Sequence, residues 1–149
     1  LGIAIPIFQS AKSAKEHGLK VVFSGAASDE VFCGYSSYKN ALEKGGAIAV
    51  QAQIWFALNE MWSRNLFRED IVSMHFSLEH RLPFLDLDFL RNAMALPVSE
   101  KISSPNDSLR KHAIRKIAKQ IGVPKIAVER EKKAVQYGSG VQKELSKLF

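Results

Sequence analysis

Val21-Val22-Phe23 is a short run of β-forming apolar residues, preceded by Gly18 and closed by Ser24-Gly25, the pattern of a strand buried on both faces. Ahead of it, Ile5–His17 places Ile7, Ala11 and Ala14 on one side and Lys12, Lys15 and Glu16 on the other. With Pro6 near its start and Gly18 just past its end, that stretch predicts a helix running into the strand. Such an αβ unit implies a parallel sheet. Val21–Phe23 is nevertheless the one strand the pattern predicts, so the other strands are expected on another segment or another chain.

Beyond the strand the pattern is helical. Phe32–Leu42 reads as helical or turn-rich up to Gly45-Gly46. Ala47–Trp62 is apolar almost all round, broken only by Gln51, Gln53, Asn59 and Glu60, which predicts a helix buried over most of its surface. Those polar residues argue against a membrane helix. Trp55 and Trp62, seven apart, share a face and read as core or partner contacts. Arg68–His80 keeps the helical period through Ile71, Met74, Phe76 and Leu78 and ends before Pro83. Asp86 is placed to cap a helix over Leu87–Leu96, with Phe89, Ala93 and Leu96 inward and Pro97 as the stop. Pro105–Gly122 predicts a further helix, capped by Asp107 or Ser108, with Ile114, Ile117, Ala118 and Ile121 apolar and Lys111, Arg115 and Lys119 on another stripe. Arg130–Gly140 follows as a mobile cationic loop.

Composition narrows the class. At 149 residues, 46% hydrophobic and 24% charged, the chain suits one globular core. It begins with Leu1, as a processed chain or a fragment would. No apolar stretch of ~18 residues and no cleavable leader pattern is seen, so no membrane partner is expected and a cytoplasmic protein is. The single Cys33 excludes an internal disulfide and a Cys-based zinc site and reads as a small buried thiol. The net charge of +6 is uneven: residues 101–149 hold twelve Lys/Arg against four Asp/Glu, and residues 1–100 hold nine against eleven. A basic tail suits polyphosphate, nucleic acid or plain solvation. No recognised motif supports nucleic acid.

The candidate chemistry lies just after the strand. Ser24, Gly25, Ala26, Ala27 and Ser28 lack bulk, so backbone amides there can approach a ligand, and Gly25 can take a positive φ without steric cost. Asp29-Glu30 stand beyond the strand's carboxyl end, where open α/β sheets bind ligands, and a carboxylate there suits Mg²⁺ carrying a phosphate. The competing reading is structural: Ser28 or Asp29 capping a helix, with Asp29 and Glu30 in its first turn.

The segment Ser24-Gly25-Ala26-Ala27-Ser28-Asp29-Glu30-Val31-Phe32-Cys33-Gly34-Tyr35 resembles S-G-E-G-S-D-E-V-F-G-G-Y of the asparagine synthetase family, which β-lactam synthetases share in altered form. Glu79-His80-Arg81-Leu82-Pro83-Phe84-Leu85-Asp86 is similar to the family's E-x-R-V-P-F-L-D. Lys111-His112 and Arg115 match K-H-x-x-R, which leaves open whether they face the active-site side or an acidic part of the fold. Arg130-Glu131-Lys132 matches R-x-K. The resemblance runs from about Pro6 to Gly140.

It implies an α/β fold, the adenine-nucleotide hydrolase-like (Rossmann-like) synthetase domain, of which residues 1–149 would be the C-terminal, mostly helical portion. It implies activation of aspartate by ATP as an acyl-adenylate, with Mg²⁺, and attack by ammonia, supplied free or from glutamine through a glutaminase domain. Asp29 would help to hold Mg²⁺, and Ser24 and Gly25 would line the nucleotide. Lys132, with Lys133 as the adjacent alternative, would contact the pyrophosphate side and stabilise developing charge. Expected partners are a missing N-terminal half or partner subunit, and copies of the chain in a homo-oligomer. Two departures stand out. The family's S-G-G-x-D-S phosphate loop and its glutaminase domain are not in this sequence. The family's glutamate is Ala26, which can neither take a proton nor orient ammonia, and family glycines are Ala27 and Cys33. The alternatives are a catalytically silent scaffold or binding subunit, and a ligase forming another amide.

Overall fold

Helix α1 (Ala4–Glu16) runs into strand β1 (Val21–Phe23), as the pattern predicts. A single-turn helix α2 (Ser28–Val31) leads to the long, kinked α3 (Ser37–Asn59), a π-helical turn at Trp62–Leu66 and α4 (Phe67–His75). Strand β2 (Glu79–Arg81) precedes α5 (Leu87–Ala95) and α6 (His112–Gln120), and the short helices α7 (Lys125–Val128), α8 (Val135–Gly138) and α9 (Val141–Leu145) end the chain. This computed structural model describes residues 2–148, which are mostly helical with one two-stranded parallel sheet. No helix among them is long and apolar enough to cross a membrane.

Strand β2 corrects the expectation of a single strand and of a helix reaching His80. The helix α4 stops at His75, and Ser77 turns the chain with a φ of 54°. Glu79, His80 and Arg81 then pair in parallel with Val21, Val22 and Phe23. Three polar residues without β-branching have little strand preference of their own. The ladder supplies it: Glu79 N–H donates to the Lys20 carbonyl at 2.8 Å and Ser24 N–H to that of Arg81 at 3.1 Å.

The chain divides into two units. The first gathers the chain up to Ser24, Trp62–Pro83 and everything from Lys133 on. In it α1 packs on α4, with the Phe8 ring 4.9 Å from Phe76 just past the end of α4, and Ala11 of α1 is buried.

The second unit comprises Gly25–Met61 and Phe84–Lys132. Its core is Cys33, Tyr38, Val50, Ile54 and Ile102, all buried. The Cys33 thiol is the inert buried group expected, its pKa pushed up to about 12 by burial. Gly46, at φ 61° and ψ −154°, breaks α3 in a conformation reserved for glycine. Past the break only one stripe of α3 is covered: Ile48 is 84% exposed and Trp55 56%, so the burial over most of its surface expected of this helix is not found, nor a core role for Trp55. Trp62, in the first unit, is 59% exposed and is no core residue either. Asp86 caps α5 as expected, accepting from Phe89 N–H at 2.9 Å. The predicted Pro105–Gly122 helix is shorter at its start, because Asp107 organises a loop up to Lys111 and α6 begins only at His112. An apolar groove of ≈ 460 Å³ lies between α5 and α6, lined by Phe84, Phe89, Ile114 and Ile117 among others, and holds no charged group.

Candidate functional site

In the second unit two lysines from distant parts of the chain converge on Asp29. Lys111 Nζ lies 2.7 Å from Oδ1 and Lys132 Nζ 2.8 Å from Oδ2, with all three side chains about four-fifths buried. Lys111 Nζ also donates to Ser28 Oγ at 3.1 Å, and Lys132 stands over the Tyr35 ring, 5.7 Å from its centroid. Burial would raise the Asp29 carboxyl, but the two ammonium groups outweigh it and hold it below the usual carboxylate range. The carboxylate is therefore ionised and its surroundings carry a net positive charge.

Short helix α2 presents Asp29 and Glu30 in its first turn. Its preceding residue Ala27 has a φ of 71°, so the left-handed position in this turn falls on Ala27 and not on Gly25, which has no positive φ. Tyr35 O–H donates to Glu30 Oε1 at 2.6 Å and Tyr38 O–H to the Glu30 carbonyl at 2.8 Å. Burial pushes both phenols up, seconded by Glu30 at Tyr35 and by Cys33 and then Glu30 at Tyr38, so they stay protonated donors. That fastens Glu30 to the core and leaves Asp29 as the carboxylate on the lysines.

Lys111 owes its place to the loop before α6. Asp107 Oδ1 accepts from the N–H groups of Leu109 at 3.0 Å and Arg110 at 2.9 Å, while Oδ2 accepts from Ser103 N–H at 2.9 Å and lies 2.6 Å from His112 Nε2. Burial would raise this carboxyl; the backbone donors of Arg110 and Ser103, with His112, hold it far below its ordinary value. Arg110 and Lys111 both sit in the left-handed region, at φ 50° and 55°. The buried Arg110 side chain donates from Nε to the Gly34 carbonyl at 3.2 Å. Arg115, on α6, donates to the carbonyls of Leu109 and Arg110 at 2.8 Å each, of Arg130 at 2.9 Å, and of Val128.

Of the residues singled out from sequence, Asp29 and Lys132 meet. Lys133, the alternative to Lys132, is exposed. Ser24 belongs to the first unit, where its hydroxyl is 3.5 Å from Glu69 Oε2, itself 3.8 Å from His80 Nε2. Gly25 opens the second unit and its carbonyl accepts from Ser28 N–H at 3.2 Å. A Cβ at Gly25 would meet only Ser28 Oγ, at 3.9 Å, so no crowding demands glycine there. The K-H-x-x-R pattern leaves the side of Lys111 open; its ammonium lies on Asp29. Lys119, on the same helix, is exposed as a solvated base should be. Tyr35 and Gly34 were missed as site residues, although both fall inside the twelve-residue motif that marked Asp29.

One ionised carboxylate between two ammonium groups suits an anion that brings its own divalent cation, with a single protein carboxylate on the metal. It does not suit a metal held by protein ligands alone. Among the described residues no three His, Cys, Asp or Glu side chains are grouped to hold one.

Comparison with known proteins gives one answer throughout. The asparagine synthase family profile matches residues 2–48 and 42–149. A Methanocaldococcus jannaschii protein carrying an asparagine synthetase name is 29% identical over 177 residues, covering 99% of this chain and 32% of its own. Mouse asparagine synthetase domain-containing protein 1 is 32% identical over 144 residues, 95% of this chain and 23% of its own. Glutamine-hydrolysing asparagine synthetase 1 of Saccharomyces cerevisiae is 30% identical over 120 residues, 80% of this chain and 20% of its own. The chain thus spans a third or less of the length of these relatives.

Proposed function

Since the chain belongs to the asparagine synthase family, we propose that it forms the pyrophosphate-side part of an ATP-dependent ligase that makes asparagine from aspartate through an acyl-adenylate. The observation that carries this reading is the convergence of Lys111 and Lys132 on Asp29. Adenylate formation needs cations over the leaving phosphates and a carboxylate for the metal that travels with them. Asp29 would hold Mg²⁺ when the nucleotide arrives, and Mg²⁺ would spread the charge of the phosphoryl oxygens. In this reading Lys132 exchanges Asp29 for the pyrophosphate oxygens and acts catalytically there, while Lys111 remains as a second fixed cation. Ser24 and Gly25 line the nucleotide. The sheet begun by β1 and β2 continues in an adenine-nucleotide hydrolase-like domain, with its phosphate loop on another segment or subunit. Ammonia, free or from a glutaminase domain, is the nucleophile. A cytoplasmic homo-oligomer remains part of the proposal.

Ala26 favours a second reading, a catalytically silent relative kept as a scaffold or binding subunit, because an alanine there can neither accept a proton nor orient ammonia. ATP–pyrophosphate exchange with aspartate separates the two, measured on the chain together with the segment or subunit bearing the phosphate loop. Exchange that falls on the order of 100-fold in Lys132→Ala supports the ligase. No exchange in any pairing would sink it.

A further inference from the structure

We propose that Arg115 is a positioning residue that locks together the two chain segments bearing Lys111 and Lys132 and so fixes both ammonium groups on Asp29. Its guanidinium spends four of its five donors on main-chain carbonyls: Nε on Arg110 at 2.8 Å, Nη1 on Val128, and Nη2 on Leu109 at 2.8 Å and Arg130 at 2.9 Å. Leu109 and Arg110 directly precede Lys111. Val128 closes α7, and Arg130 lies two residues before Lys132. One side chain thus ties both lysine-bearing segments to one turn of α6.

Backbone strain shows why such a tie is needed. Arg110 and Lys111 are consecutive non-glycine residues at φ 50° and 55°, a left-handed conformation that side chains other than glycine's disfavour. Such a conformation persists only where its surroundings over-determine it. Asp107 takes the N–H side of this loop and Arg115 takes the carbonyl side. Residues 129–132 have no helix or strand of their own, and Lys132 lies two residues beyond the tied Arg130 carbonyl. A lysine at 115 would keep the charge but not the planar fork that reaches four acceptors in different directions.

The consequence for ligand binding rests on the proposed pyrophosphate site; the geometric claim does not. The test uses the 149-residue chain, native and Arg115→Lys. Carbon-13 NMR titration of the Asp29 carboxyl reads whether both lysines still sit on it. The expected result is an upward move of the Asp29 midpoint towards the ordinary carboxylate value in folded Arg115→Lys; an unchanged midpoint overturns the proposal. Inorganic pyrophosphate, followed by calorimetry, is expected to bind on the order of tenfold more weakly to Arg115→Lys, while the exposed Lys119→Met variant binds as the native chain does. Failure of the native chain to bind pyrophosphate counts against the ligase reading, and the Asp29 titration still decides on Arg115. Should Arg115→Lys not fold, nitrogen-15 spectra of the native chain decide: resolved, slowly exchanging Arg115 Nη protons support four fixed acceptors, and freely averaged ones overturn them.

Discussion

A Cβ on Gly34 would lie 1.9 Å from Asp29 Oδ1 and 2.7 Å from Lys111 Cε, so the site's carboxylate and one of its cations rest directly against bare backbone. Gly34→Ala must displace the Asp29 and Lys111 side chains, because the Gly34 backbone is held by Arg110 at its carbonyl and by the Asp29 carbonyl at its N–H. The expected result is a loss of about 1–3 kcal/mol of stability in urea titration, of the size found for overpacking, together with loss of pyrophosphate binding. An alanine variant that binds pyrophosphate normally would show that Asp29 can leave this position freely.

Acid sensitivity follows from Asp29 and Asp107. Both carboxyls titrate lower in the folded chain than in the unfolded one. Their contributions are therefore complete above the unfolded value of roughly 4 and are lost as the pH falls through the lower folded values. Asp107 holds three backbone N–H groups, so Asp107→Asn should cost on the order of 3 kcal/mol at neutral pH. It should also flatten the fall in stability below about pH 5. Urea midpoints at neutral and acid pH check both, and a slope as steep as the native chain's removes Asp107 as its source.

How far such a site shows in sequence depends on what fixes each residue. Asp86 was legible because a cap is local: an aspartate three residues before the N–H it accepts from, at the start of an apolar period. β2 was not, because Glu79-His80-Arg81 becomes a strand only through β1. The shortened start of α6 hid for a related reason: Asp107 reads as a helix cap, yet it spends its oxygens on a tight loop with two left-handed residues that no pattern of apolar positions reveals. Asp29 and Lys132 were found by motif, one by one. Their meeting, the role of Gly34 and the four carbonyls of Arg115 depend on long-range geometry.

Lys101 is a buried charge without a compensating partner in the second unit. It is fully buried, its Nζ has no hydrogen-bond partner, and burial pushes its pKa down against a smaller opposing effect of Cys33. The folded chain therefore binds fewer protons than the unfolded one in the window below 10.5, the ordinary lysine value, and stability should rise as the pH climbs towards it. Lys101→Met should gain about 1–3 kcal/mol at neutral pH and abolish that alkaline rise. Denaturant titration at neutral and alkaline pH reads both. A less stable Met variant would mean that the ammonium serves a partner within the fold.

Ala27 and Cys33 stand where the resembled motif has glycine, and both adopt positive φ, at 71° and 60°. Reverting them should have opposite effects, because strain competes with burial. At Ala27 only a methyl group is lost, and relief of the left-handed strain should leave Ala27→Gly unchanged or more stable by up to about 1 kcal/mol. The same change at Ala113, a buried alanine inside α6, should cost about 1 kcal/mol, since there glycine only adds backbone entropy. Cys33 is fully buried in the core beside Tyr38, Val50 and Ile54, so Cys33→Gly leaves a cavity and should be destabilising by about 1–2 kcal/mol despite the same relief. Urea midpoints of the three variants give the order. Equal losses at Ala27 and Ala113 would show that the turn before Asp29 has no left-handed strain to release.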